Sequence, residues 1–370
     1  MSELIDRSAR VSALELFFDL VFVFTITQLT SVLVAGGDAA AAVQVVVMLL
    51  LVWWMYDGYA WLTNAIATDR LRYRIALIGG MGGFLIGALA IPDAYASDGL
   101  AFGLAYLAVV LLHGAMYVKG TSVSEVAAIL RIVPYNLTTA GLVVLGGALG
   151  GNAQWVLWTG AAVLIWCTPW LTGTEGFLVS ASHFVERHGL VIIVALGESV
   201  VVIGVGAADL PLDLDLVAVA LLGLALSASL WWLYFRGEDD VERAMEIAEP
   251  SRRARLAVLA FGYWHYGLLL GVVAVAAGLK KAVGHPYDEL DMWVGLELAV
   301  GVALFAACTV GFRATLGLGI SRERLLAAGA ALATIPLGLH WSALAQLVAL
   351  TAIVVAALVL EARSESSQLS

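Results

Sequence analysis

Residues 13–34 read ALELFFDLVFVFTITQLTSVLV, an apolar run interrupted by only two charges, Glu15 and Asp19. At ~1.5 Å per residue, a helix over this run crosses the roughly 30 Å hydrocarbon core of a bilayer. Similar runs recur along all 370 residues, of which 62% are hydrophobic and 13% charged, with a mean hydropathy of +0.95. A soluble domain carries about 25% charged residues, so these charges are too few to cover a wetted surface. Soluble enzymes, nucleic-acid readers and disordered scaffolds are excluded, and so is a single anchored domain. Transmembrane strands would give alternating segments of ~10 residues, whereas these runs are continuous and longer. The expected fold class is all-α, a polytopic membrane helical bundle whose first partner is the lipid bilayer.

A hydropathy reading gives twelve spans, at about 13–34, 40–66, 72–91, 99–118, 124–149, 153–172, 184–206, 213–235, 253–279, 290–311, 324–340 and 342–361. Only Leu339, His340 and Trp341 separate the last pair, with Pro336 close by, so a re-entrant hairpin is the alternative there. The net charge of −10 matters less than the placement of the cations. Inter-span segments alternate between cation-rich and cation-poor, and 17 of the 19 Lys and Arg fall on one side, against only Lys280 and Lys281 on the other. Both termini are therefore expected in the cytoplasm, and Arg7 and Arg10 contribute to that assignment. The polar opening MSELIDRSARVS has no short apolar core, so no cleavable signal is expected there. The charged stretch GEDDVERAMEIAEPSRR, at about 236–252, reads as a cytoplasmic linker or short surface helix.

An internal duplication is suggested by three ordered pairs. Leu14-Glu15 is matched by Val185-Glu186, and the run Val52-Trp53-Trp54-Met55-Tyr56 by Leu230-Trp231-Trp232-Leu233-Tyr234. Gly79, Gly83 and Gly87, at a spacing that lets a neighbouring helix approach, are echoed by Gly267 and Gly271. The expected domains are thus two six-helix halves, 1–172 and 173–370. Six is even, so these would be parallel repeats about an axis along the membrane normal. Interfacial belts and ordinary helix packing are the competing explanation of the same pairs.

Ionisable groups inside spans cost ~2.5 to 3.5 kcal/mol each even on the lenient insertion scale, so each needs a partner or a wet pathway. One layer, toward the cytoplasm, comprises Glu15, Asp19, Asp57, His113, Arg131, Glu186, Arg187 and His188. Glu15 and Asp19 are four residues apart on one helix face and require a cation. Arg131 is the expected counter-charge. A purely structural role, stapling helices together near the interface, is the alternative for this layer. The second layer, Glu198, His265 and Glu297, is the candidate substrate- or proton-binding set. Glu198 lies roughly fourteen residues into its span, too deep for a short side chain to reach the interface. His183 and His188 are five apart and form no metal-ligand pair, Cys167 and Cys308 define no framework, and no nucleophile motif is visible. No metal, cofactor or catalytic activity is expected.

The run Glu15-Leu16-Phe17-Phe18-Asp19-Leu20-Val21-Phe22-Val23-Phe24 resembles the opening signature of the bacterial low temperature requirement A (LtrA) family. Glu186-Arg187-His188-Gly189-Leu190 through Ala195-Leu196-Gly197-Glu198-Ser199-Val200 resembles that family's second signature. The resemblance covers nearly the whole chain and implies a multi-pass membrane protein of ill-defined biochemical activity. A weaker likeness is to potassium channels built from two six-helix repeats, whose first helices carry Phe-Ser-Asp. Here Phe18-Asp19 lacks the Ser, and His188-Gly189-Leu190 has no Asp.

The leading expectation is a secondary transporter of the bacterial inner membrane, with protons as candidate coupling ion and a small solute or ion as partner. The alternatives are a membrane structural or sensory protein without a transported substrate, and a two-repeat cation channel.

Overall fold

The computed structural model describes residues 11–66, 68, 70–208 and 210–368, with side chains as far as Ser364. Arg7, Arg10 and Asp209 lie outside the described residues. The elements are all helical: α1 (Ala13–Gly36), α2 (Ala39–Ala65), α3 (Leu71–Ala90), α4 (Gly99–Gly120), α5 (Val123–Leu149), α6 (Gly151–Thr172), α7 (Ala181–Gly206) and α8 (Leu214–Phe235). There follow the short α9 (Glu238–Ile247) and α10 (Pro250–Leu256), a π-helix at Ala257–Trp264, α11 (His265–Gly284), α12 (Met292–Thr315), α13 (Arg322–Leu332), α14 (Ile335–His340) and α15 (Ala343–Gln368). No strand occurs among the described residues.

Among the described residues, eleven helices are long and apolar enough to cross a membrane. The remaining expected span, 324–340, is broken into α13 and α14 at Ala333–Thr334. Pro336 supplies the reason, since it has no N–H to bond the carbonyl of Leu332 and continue the first helix.

Helix starts follow local chemistry. Ser122 and Glu125 form a reciprocal capping box at α5, Asp213 accepts from Leu216 N–H at α8, and Ser321 accepts from Arg324 N–H at α13. At α1, the Ser12 and Glu15 side chains make the same reciprocal pattern. Arginines also pair backbone carbonyls: Arg236 donates to that of Leu358 within α15, Arg313 to that of Arg236 at the end of α8 and Arg253 to that of Val179 ahead of α7, at 3.0, 3.0 and 3.1 Å.

The chain divides into two compact units. The first holds the chain up to Val32, Val43–Val191 and Glu242–Gly262; the second holds Leu33–Ala42, Ile192–Val241 and the chain from Tyr263. In the first, α3, α4, α5 and α6 pack in sequence, each against the next. In the second, α11 lies along α12, and α15 packs on α8 and α13. Two of the glycines picked out by spacing sit at close crossings. A Cβ on Gly83 would stand 2.6 Å from Val109 of α4, and one on Gly271 would stand 2.8 Å from the Gly301 carbonyl of α12. Both positions are thus closed to any larger side chain unless the helices part. Large apolar side chains such as Leu85, Ile86, Leu89, Leu104 and Leu111 point outward, as a lipid-facing surface allows.

Candidate functional site

The first turns of α1 and α7 and the last turns of α2 meet in a buried charged cluster within the first unit. Glu15 and Asp19 project from α1 on one face, as their spacing requires. His183, Arg187 and His188 project from α7, and Tyr56 and Asp57 from α2. Asp19 and Arg187 are almost fully buried, at 0% and 1% exposure.

One oxygen of Glu15, Oε1, accepts from the Ser12 hydroxyl at 2.7 Å. The other, Oε2, lies 2.8 Å from His183 Nε2 and 3.4 Å from Arg187 Nη1. Asp19 Oδ1 accepts a hydrogen bond from the Tyr56 hydroxyl and lies 2.9 Å from Arg187 Nη2. The guanidinium is also held over the rings of Phe18 and Tyr56, at 5.9 and 5.7 Å. One cation thus serves two carboxylates. The cluster is nonetheless incompletely bonded, because Asp19 Oδ2, His183 Nδ1 and Arg187 Nε have no hydrogen-bond partner among the described residues. A buried polar atom without a partner is costly and rare, which makes three in one cluster a feature that calls for a role.

Beside this core, His188 Nε2 lies 3.0 Å from Asp57 Oδ1, and His188 Nδ1 lies 2.8 Å from the carbonyl of Phe184. His113 of α4 bonds through Nε2 to the Gly58 carbonyl at 2.9 Å. Glu186 is turned aside and accepts from the backbone N–H of Val11 at 3.1 Å.

Arg131 requires a correction. It is exposed on α5 and donates to the carbonyl of Glu175, so it is not the counter-charge of Glu15 and Asp19. Arg187 holds that place. The buried face of α5 carries Ala128, Ile129 and Asn136, and Arg131 falls on the opposite side. His183 and Tyr56 are the site residues that sequence reading does not single out; Arg187 belongs to the expected cytoplasmic layer, but the role of counter-charge falls to it and not to Arg131.

In the second unit, Glu198 of α7 is buried, and its neighbour Ser199 has a hydroxyl without a partner among the described residues. His265, the first residue of α11 after the π-helix, is fully buried and paired through Nε2 with the Tyr234 hydroxyl at 2.8 Å. Glu297 of α12 is nearly buried, its Oε2 has no partner among the described residues, and Lys281 acts on it by charge. An ion pair not expected from the sequence lies in the same unit. Arg324 grips Glu361 with Nε at 3.0 and 3.2 Å and Nη2 at 3.0 Å, while its Nη1 donates to the Leu233 carbonyl at 2.9 Å. Among the described residues, no group of three or more His, Cys, Asp or Glu could hold a metal ion.

Eleven membrane-length apolar helices among the described residues, with buried ion pairs inside each unit, define a multi-pass membrane protein. The chain belongs to the bacterial low temperature requirement A protein (LtrA) family, which it matches over residues 10–359. An uncharacterized protein of Rhizobium meliloti (strain 1021) is 26% identical over 310 residues, which is 80% of this chain and 75% of that protein. No solved structure matches the chain.

Proposed function

We propose that this LtrA-family protein is a secondary transporter coupled to protons, and that the α1–α2–α7 cluster is where the coupling proton binds. One observation carries the reading: the fully buried carboxylate of Asp19 shares a single guanidinium with Glu15 and keeps Oδ2 without a partner among the described residues. Inside a membrane, an acid in that state marks a proton or ion pathway more often than a simple fastening. In this reading Glu198, His265 and Glu297 form the deeper substrate- or proton-binding layer, and a small solute or ion is the cargo. The chain is then not an enzyme. It sits in the bacterial inner membrane with both termini in the cytoplasm, in keeping with the cation asymmetry. The two six-helix halves, 1–172 and 173–370, are part of the same proposal. Their support is that Tyr56 and Tyr234, which close the two Trp-Trp-x-Tyr runs, each bond a titratable residue of another helix.

The test is reconstitution into vesicles carrying a pH dye, with a pH gradient imposed and candidate solutes supplied in turn. Solute-dependent proton flux is expected in the wild type, absent in Asp19→Asn, reduced in Glu198→Gln and intact in Arg131→Ala. Flux that is the same in wild type and Asp19→Asn for every solute overturns the proposal.

A second reading, in which the cluster only fastens α1 to α7, draws on the ion pair between Asp19 and Arg187. It predicts that Asp19→Asn lowers thermal stability in detergent and leaves the cells' growth phenotype unchanged.

A further inference from the structure

The two contacts of the His188 ring fix where its protons are. Nδ1 faces the backbone carbonyl of Phe184 at 2.8 Å, and a carbonyl oxygen only accepts. Nδ1 therefore carries hydrogen. In a neutral imidazole Nε2 would then be bare, presenting a lone pair to Asp57 Oδ1 at 3.0 Å. If Asp57 were ionised as well, two acceptors would face each other in a site where His188 is 1% and Asp57 7% exposed, with little water to intervene. That arrangement is repulsive, and the short contact excludes it.

We infer that His188 and Asp57 together form a proton-binding site that holds one proton between Nε2 and Oδ1, as imidazolium with carboxylate or as imidazole with carboxylic acid. In either form the pair is neutral. Trp53 of α2, Phe184 of α7 and Phe261 of the π-helix surround the imidazole with rings at 6.1, 4.4 and 5.0 Å. The charges within reach are Asp19 of α1, which interacts with His188, and Arg187, which adjoins it on α7. Tyr117 of α4 is near enough to feel Asp57, and Glu125 of α5 acts on the same tyrosine. Neither nitrogen of the ring can change its role while both contacts stand. Release of the proton thus requires the His188–Asp57 contact to open, which separates α2 from α7 at this level. The site is a latch that is closed only when protonated.

The inference does not depend on transport, because its readout is spectroscopic. The full-length protein, labelled with ¹⁵N-histidine and placed in lipid nanodiscs at neutral pH, is examined by NMR and by infrared spectroscopy. One of two results is expected for His188: both ring nitrogens protonated, or Nδ1 alone protonated together with a carboxylic-acid band that Asp57→Asn removes. His188→Gln assigns the ring signals. Should that variant fail to fold, the signal that moves in Asp57→Asn assigns them instead, since the amide of Asn supplies an N–H to Nε2 without an added proton. Titration of wild type against Asp57→Asn should show one proton fewer bound by the variant. A bare Nε2 with no carboxylic-acid band, or a ring protonated only at Nε2, overturns the inference.

Discussion

Two buried arginines in this molecule face the same task and meet it differently. Arg324 has one carboxylate and one carbonyl, and Nε, Nη1 and Nη2 are all bonded at 2.9 to 3.2 Å. Arg187 has two carboxylates, approaches one of them no closer than 3.4 Å, and leaves Nε without a partner. A bidentate, saturated pair has no capacity to take up another ligand or proton, and it fastens α13, α15 and the end of α8 together. An arginine stretched between two acids is adjustable, since protonating either acid shifts it toward the other. The degree of hydrogen-bond saturation therefore separates a fastening from a responsive site, and burial alone does not.

The largest effect that would test this contrast is at the saturated pair. Arg324→Ala should lower unfolding stability in detergent by ~3 to 5 kcal/mol, since it leaves Glu361 buried without its partner. Flux per folded molecule should not change, and a fall in flux at full stability would break the comparison.

Arg187→Ala should cost a similar ~3 to 5 kcal/mol when made alone. Unlike the first loss, this one should be partly recovered by Asp19→Asn, which removes one of the two stranded charges. A double variant no more stable than the additive sum of both singles would show that the residues are uncoupled.

A smaller effect is expected from Ser12→Ala, about 1 kcal/mol, as for loss of a helix N-cap. Arg131→Ala should be smallest, within ~0.5 kcal/mol, as for an exposed position away from buried features. Thermal unfolding of the two variants side by side sharpens the division between clustered and peripheral charges, and equal losses would erase it.

The sequence made much of this legible. The alternation of cations with apolar runs located eleven spans to within a few residues, and Pro336 marked the one segment that breaks. Glu15, Asp19, Asp57 and His188 were recognisable as intramembrane ionisable groups that need partners. Their partners were not recognisable, for a physical reason. A water-soluble helix reveals its buried face by contrast with a polar one, but in a membrane both faces are apolar. The sequence around Arg131 therefore gave no sign that this residue points away from the bundle. Arg324 and Glu361 were hidden differently: each lies at the end of an expected span, where a charge is ordinary, and only the packing of α13 against α15 brings them together. The Ser12 and Glu15 box was readable as Ser-x-x-Glu ahead of an apolar run. The π-helix at Ala257–Trp264 has no such marker in its sequence.

Glu15 deserves a mechanical description as well as an electrostatic one. Its two oxygens belong to one rigid planar group, and they are tied to different bodies: Oε1 to the Ser12 hydroxyl that starts α1, Oε2 to His183 near the start of α7. The carboxylate therefore acts as a short crank. If α7 slides or turns, it must either let go of Glu15 or pull on the knot that winds the first turn of α1. Unwinding of that turn is thereby geared to displacement of α7, and the gear engages only while Glu15 remains ionised and can accept on both sides.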